Sequence, residues 1–364
     1  MRNRNKFIIG LTALALIVAL GMILDRRHTA TPPPPINRAE IKVQASNRPP
    51  VHVQRPSAEP DAPEVAGPSG LPQPPREKIE EYLRRHDRNA ASLLTAFHAL
   101  QDTNLLREAA TNFPNDPRVQ RTVLAQKLFP EDRRKWLDAF KASSPSNSLA
   151  TYLSAEDYFK NHQPEAAIKD LLDASAISQF NQYSMDTILD SEAFSQFNGV
   201  SALESHVSAM SAMAADDLPE LASLKSVAYG IRDAQQQYLN SGDPASAQNL
   251  AQAGLLLADR LATGDSGKFL INQLVSMASQ AVVLELLDKN VSYPFLNGQT
   301  PAQRLADFKQ QKESFREFAK NQNAVFSLNQ EQQANYWERM KIYGELPAMQ
   351  WLQQQTPTTP NTGN

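Results

Sequence analysis

The sequence predicts an all-α protein, and three features of residues 77–355 support this prediction. Apolar residues recur with helical spacing, as Ile79, Tyr82 and Leu83 do, so that each group shares one helix face. The sustained alternation of β-branched and polar residues that is typical of strands does not occur in this stretch. Helix start signals are frequent instead, such as the capping aspartate followed by proline at residues 116–117.

Residues 7–24 form an apolar stretch without a charged side chain, and they follow the basic segment 1–6. As a helix they would span about 27 Å, close to the thickness of the hydrocarbon core of a membrane. The stretch is longer than the apolar part of most signal peptides, and residues 22–26 contain no small residue suited to cleavage. We therefore expect a single transmembrane helix that is retained as an anchor, in preference to a cleaved signal peptide.

The distribution of positive charge around this stretch predicts its orientation. Arg2, Arg4 and Lys6 precede it, whereas Arg26 and Arg27 follow it. Cytoplasmic flanks of membrane helices are generally enriched in Lys and Arg. We expect a single-pass protein of the cytoplasmic (inner) membrane, with its N-terminus inside and its folded domain on the extracytoplasmic, periplasmic side.

Residues 25–76 are rich in proline, because 13 of the 25 prolines lie between residues 31 and 76. Proline lacks a backbone donor and is excluded from helix interiors, so we expect an open, disordered linker of polyproline II character. A spacer is favoured over a proline-rich ligand for an SH3-type partner. Residues 356–364 are low in complexity and are expected to form a disordered tail.

Charge and cysteine content exclude several classes of function. The chain has 36 basic and 39 acidic side chains, and because the first 76 residues are basic, residues 77–364 carry a net charge of −8. An acidic body is poorly suited to phosphate backbones, so no nucleic-acid partner is expected. The chain has no cysteine, which excludes disulfides, thiol catalysis and cysteine-ligated zinc.

Small and aromatic residues recur in residues 152–174 in a helix–turn–helix pattern that would let two helices approach closely. The pattern resembles a tetratricopeptide repeat, and residues 105–117 and 238–254 resemble parts of one. His162 stands at the turn where the family usually has glycine, and the family's tryptophan near each repeat start is missing. The positions that carry the resemblance are Ala155, Tyr158, Ala167, Leu171 and Ala174.

The resemblance implies TPR-like helical hairpins stacked in an irregular solenoid; an irregular helical bundle is the alternative. In tetratricopeptide repeats the first helix of each hairpin lines the concave face that receives a partner. The resemblance therefore places a partner-binding groove at Tyr152, Glu156, Phe159 and Lys160. Tyr152 and Phe159 could equally be ordinary packing residues between helices.

The motifs for catalysis and metal binding are incomplete. The six histidines have neither HxxxH nor HExxH spacing, so no metal site or cofactor is expected. Residues 264–267 read Gly-Asp-Ser-Gly, but a serine nucleophile needs a base and an acid on a different scaffold. Glu204 and Ser205 resemble the catalytic motif of lytic transglycosylases, whose glycine-rich continuation is missing here. We therefore do not expect an enzyme.

These observations predict a membrane-anchored helical-repeat scaffold or adaptor that mediates protein–protein interaction at the cell envelope. Two alternatives remain. One is a cell-envelope enzyme that acts on peptidoglycan, and the other is a structural tether without a dedicated groove. The aromatic-rich residues 336–351 are expected to pack a closing helix onto the stack, because an end repeat must cover its neighbour's apolar face.

Overall fold

The computed structural model describes residues 74–320 and 322–355. Within these residues the chain forms α-helices and short 3-10 helices and no strand, which confirms the predicted all-α class. The predicted basic segment, the transmembrane helix, nearly all of the linker and the tail lie outside the described residues. None of the helices described is both long and apolar enough to cross a membrane.

The α-helices are α1 Arg76–Arg85, α2 Ala90–Leu100, α3 Thr103–Asn112, α4 Pro117–Ala125, α5 Arg133–Ser143, α6 Ser148–Lys160, α7 Pro164–Ala176, α8 Ser184–Phe197, α9 Ala202–Asn240, α10 Pro244–Ala262, α11 Leu270–Val283, α12 Pro301–Lys320, α13 Gln330–Tyr343 and α14 Glu345–Gln355. The 3-10 helices are Pro130–Asp132, Ser266–Lys268, Pro294–Leu296 and Gln322–Ser327.

Local sequence signals account for several helix ends. The Asp116 side chain accepts hydrogen bonds from the amides of Arg118 and Val119, at 2.8 and 3.2 Å, and Pro117 is the first residue of α4. This is the predicted combination of a capping side chain and an N-terminal proline. At residues 130–132 the chain makes one 3-10 turn, and α5 begins at Arg133.

The turns that join α6 to α7 and α9 to α10 have the same geometry. His162 and Gly242 both have positive φ, +57° and +78°. In each turn the backbone amide of the next residue donates a hydrogen bond of 2.9 Å to the backbone carbonyl five residues earlier. This is the Schellman arrangement, which satisfies carbonyls at the end of the first helix. Helices joined by such short turns pack as antiparallel hairpins.

The 39-residue helix α9 is the central element of the body. It spans about 58 Å and contacts α4, α6, α7, α8, α10, α11 and α13. From residue 221 onwards its buried apolar residues recur every three or four positions and face the largest core cluster. They are Leu221, Leu224, Val227, Ala228, Ile231 and Ala234.

Two large apolar cores lie on either side of α4 and α5. One involves α1–α4 and α8, and the other involves α4–α7 and α9–α11, with partly buried Trp136 in contact with both. At the C-terminal end, α13 and α14 pack on each other, and Tyr336 is completely buried. Tyr336 of the late aromatic stretch therefore packs in the interior of this cluster, whereas Tyr343 is exposed. That the stretch closes a stack of repeats stays a prediction.

Candidate partner-binding site

Tyr152 and Phe159 lie seven residues apart on α6 and share one face, which the chain's own α9 and α10 cover. Tyr152 is completely buried, and its hydroxyl accepts a hydrogen bond of 2.8 Å from Arg260 Nη1. Burial raises the pKa of Tyr152 to about 12, against the opposing effect of Arg260. Phe159 is half-buried against Gly230 of α9. This face is therefore an interior packing surface in the structure.

Glu156 and Lys160 lie on the side of α6 that faces α5. Glu156 is 1 % exposed, and Oε2 is 3.2 Å from Arg133 Nη2, while Oε1 pairs with Lys160. Next to it, Asp157 accepts hydrogen bonds from Arg133 Nε at 3.2 Å and from Arg134 Nη1 at 3.3 Å. Buried carboxylates need such partners, because an unpaired charge in the interior is costly.

The ion pairs continue from α6 to α7. The Ser154 hydroxyl donates to Asp170 Oδ2, and Lys141 of α5 donates to Asp170 Oδ1 at 2.8 Å. The Arg134 guanidinium also lies 4.5 Å from the centre of the Tyr158 ring, a cation–π distance. These contacts join α5, α6 and α7 into one charged seam. Their cations are partly exposed, so each pair contributes modestly, about 1 kcal/mol or less.

Of the four residues that the repeat resemblance places in a groove, Lys160 alone is well exposed, with 58 % of its side chain accessible. Tyr152 and Glu156 are buried, and Phe159 presents only part of its ring. Binding of a partner by this set stays a prediction. In the structure its accessible part is the end of α6 around Lys160.

Glu204, the residue of the transglycosylase-like pair, has a structural role at the start of α9. The Ser201 hydroxyl accepts from the Glu204 amide at 3.3 Å and donates to Glu204 Oε2 at 2.8 Å. Glu204 is exposed, and Ser205 is buried with its hydroxyl directed at the Val200 carbonyl, 3.4 Å away. The arrangement is a helix cap in which an acidic residue also suits the positive end of α9.

The Gly-Asp-Ser-Gly string forms a tight turn between α10 and α11. Gly264 has φ +59° and lies two residues after the end of α10 at Ala262. Ser266 is 3 % exposed, and its carbonyl accepts from Asn272 Nδ2 at 2.9 Å. A Cβ at Gly267 would lie 2.2 Å from the Ala262 carbonyl oxygen. The glycine therefore permits a close backbone approach.

His206 belongs to a buried polar cluster that joins α8, α9 and α13. Its Nδ1 contacts Glu192 Oε1, and Lys341 Nζ lies 3.3 Å from Glu192 Oε2. Burial acts to raise the pKa of Glu192, but the hydrogen bonds and charges of His206 and Lys341 outweigh it and lower the pKa. The His206 ring also packs on Trp337, with 4.6 Å between centroids. Among the described residues, no three potential ligands are grouped to hold a metal ion.

A second buried cluster, which the sequence did not predict, joins α4 to the middle of α9. Arg121 Nε donates to Glu220 Oε2 at 2.8 Å, and Arg121 Nη2 donates to Asp217 Oδ1. Gln182 donates to Glu220 Oε1 at 2.8 Å, and Ser184 donates to Asp217 Oδ2 at 2.6 Å. All three charged side chains are at most 2 % exposed. The only signal in the sequence is two acids one helical turn apart, on either side of Pro219.

A small pocket between α2, α4 and α8 reaches this cluster from the surface. It is lined by His98, Arg118, Arg121 and Asp190, among others, and its volume of about 20 Å³ leaves room for about one water molecule. Arg118 Nη1 donates to Asp190 Oδ2 at 3.1 Å. Burial raises the pKa of Asp190 although Arg118 opposes it. The pocket is too small for an organic substrate.

Comparison with known proteins gave no match: no family model, no curated protein and no solved structure matches the chain. The likeness of residues 152–174 to a tetratricopeptide repeat therefore stays a prediction from the sequence.

Proposed function

We propose that this chain is a membrane-anchored helical scaffold that binds another protein at the cell envelope. The observation that supports the proposal most is the construction of the body, in which helical hairpins stack around α9. The buried carboxylates Glu156, Asp170, Asp217 and Glu220 are engaged in contacts within this stack. Stacked helical hairpins offer extended surfaces for other proteins.

In this proposal residues 7–24 hold the chain in the membrane with the N-terminus inside, and the proline-rich linker separates the membrane from the body. A C-terminal alkaline phosphatase fusion tests the orientation. We expect it to be active, and the purified product to keep its original N-terminus. Activity of a cytoplasmic reporter at the same position would instead show the opposite orientation. A product that starts near residue 31 would indicate a cleaved signal peptide.

The proposed contact with the partner lies at the end of α6, where Lys160 is exposed. We would replace Lys160 with a photo-crosslinking amino acid in the full-length protein and irradiate the organism's own membranes. Lys169 is the matched control, because it is an exposed lysine on the neighbouring helix α7. We expect one discrete cross-linked protein from position 160 and none from position 169. If neither position gives a cross-linked product, the result would favour a tether without a binding surface.

The alternative is an enzyme that acts on peptidoglycan, and the capping role of Glu204 gives it no support. The full-length protein incubated with purified cell wall should release no soluble muropeptides. Glu165 provides the matched control, because it is also an exposed acid in the first turn of a helix. Release that is abolished by Glu204→Gln, but not by Glu165→Gln, would establish the enzyme instead.

A further inference from the structure

The cations of the charged seam between α5, α6 and α7 are more exposed than the carboxylates that they bind. Lys160 has 58 % of its side chain exposed, whereas its partner Glu156 has 1 %. Lys141 has 32 % exposed, and its partner Asp170 has 6 %. Arg133, which also pairs with Glu156, is 24 % exposed. A molecule that approaches this seam from the solvent therefore meets positive charge first.

A neighbouring ion pair on the surface of α7 lacks this asymmetry. Lys169 and Asp173 have 73 % and 50 % of their side chains exposed. Because both charges face the solvent, their effects on an approaching charged molecule largely cancel. Within the seam, Asp138 is the exception, since it is 62 % exposed beside Arg134. The positive surface is therefore a property of the seam and not of every ion pair in this part of the fold.

The contacts of the seam are continuous, so its cations form one surface. Cations and acceptors alternate along it in the order Lys160, Glu156, Arg133, Asp157, Arg134, Ser154, Asp170 and Lys141. Each ammonium has three N–H donors, and each guanidinium has five. The cations can therefore donate to additional acceptors while they keep their partners inside the protein.

We propose that the charged seam binds an acidic segment of the partner protein, whose carboxylates approach Lys160, Arg133 and Lys141. This inference rests on the scaffold function proposed above and specifies the chemistry of the partner at that contact. Charge-assisted hydrogen bonds between carboxylates and lysine or arginine are among the stronger ones. Residues 77–364 carry a net charge of −8, so a long polyanion such as a nucleic acid would extend beyond the seam and be repelled. A short acidic segment can be confined to the seam.

Binding of short fluorescent peptides to the full-length protein in detergent, followed by fluorescence anisotropy, tests the preference for acidic segments. One probe alternates glutamate and serine, its control alternates glutamine and serine, and a single-stranded oligonucleotide of similar length is the third. We expect the glutamate peptide to bind more tightly than both others. Its dissociation constant should rise at least about threefold when the ionic strength increases from about 0.05 to 0.3 M, because salt screens the contact.

Substitutions on the native background locate the binding surface. Lys160→Gln and Lys141→Gln should each raise the dissociation constant of the glutamate peptide about threefold, the effect of one partly exposed charge. Lys169→Gln is the matched control and should leave it unchanged, because that lysine lies beside an exposed carboxylate. Asp138→Asn removes the exposed acid of the seam and should lower the dissociation constant about twofold.

Equal dissociation constants for Lys160→Gln and Lys169→Gln would overturn the proposal, as would tighter binding of the oligonucleotide or of the glutamine peptide. If Lys141→Gln does not fold, Asp138→Asn replaces it, since Asp138 is exposed and its substitution leaves the interior intact. Unchanged binding by Asp138→Asn would then count against the seam. A discrete cross-linked protein from position 160 without preference for the glutamate peptide would overturn this inference alone, whereas failure of both experiments would contradict the scaffold function as well.

Discussion

Gly230 lies on the face of α9 that packs against α6, and Phe159 leaves it no space for a side chain. A Cβ atom at residue 230 would lie 2.4 Å from Phe159 Cδ2 and 2.5 Å from Cγ. Carbon atoms in contact are normally about 3.5–4.0 Å apart. The substitution Gly230→Ala therefore requires the ring to move by about 1 Å or the two helices to separate.

Two opposing effects determine the size of the change in stability. Alanine is favoured over glycine inside a helix by about 1 kcal/mol. Overpacking of a well-packed interface costs about 1–3 kcal/mol. Because Phe159 is half-buried and its ring can yield in part, we expect Gly230→Ala to lower the free energy of unfolding by about 1 kcal/mol. Gly230→Val adds two more methyl groups and should lower it by about 3 kcal/mol.

Urea denaturation of the full-length protein, followed by circular dichroism, measures these changes. Phe159→Ala provides the control background, because it removes the ring that the new methyl group meets. In that background Gly230→Ala should stabilise the protein by about 1 kcal/mol, so that the double-mutant cycle has a coupling of about 2 kcal/mol. A coupling near zero would refute the contact between α6 and α9.

Three further predictions concern residues of other helices. Ala167→Leu should lower the free energy of unfolding by about 1–3 kcal/mol, because Ala167 is completely buried. The exposed control Lys169→Ala should change it by less than about 0.5 kcal/mol. Equal melting temperatures of the two variants would contradict this prediction. Arg121→Met removes the guanidinium that binds both buried carboxylates and should lower the free energy of unfolding in urea by about 3–5 kcal/mol; a loss below about 1 kcal/mol would contradict this. Burial raises the pKa of Glu345 to about 7, so its contribution to stability falls as the pH rises from about 4.5 to 7, and Glu345→Gln should remove that part of the pH dependence.

The all-α class and several helix ends follow from the sequence because they depend on neighbouring residues. Asp116 and Pro117 specify the start of α4 without help from the rest of the fold. The turn at His162 is similar, since the tight connection before Pro164 requires a positive φ whichever residue supplies it. Such signals act over a few positions and can be recognised in one sequence.

The environment of the candidate groove depends on residues far away in the chain. Phe159 meets Gly230, and Tyr152 meets Arg260, at separations of 71 and 108 residues. A helical pattern indicates which residues share a face but not what covers that face. The buried carboxylate of Glu156 likewise needs a partner from another helix, because Arg133 of α5 supplies its counter-charge.

The central claim is that the chain's own α9 covers the face of α6 that carries Tyr152 and Phe159. The chain has no cysteine, so the double variant Phe159→Cys/Gly230→Cys contains a single possible disulfide. The Cβ atoms of these residues lie within about 4 Å of each other, which suits a disulfide. Under mild oxidation we expect the double variant to form an intramolecular disulfide rapidly and nearly completely. Lys169→Cys/Gly230→Cys should remain reduced. Failure of the first pair to cross-link, or equal cross-linking of both pairs, would contradict the position of α9.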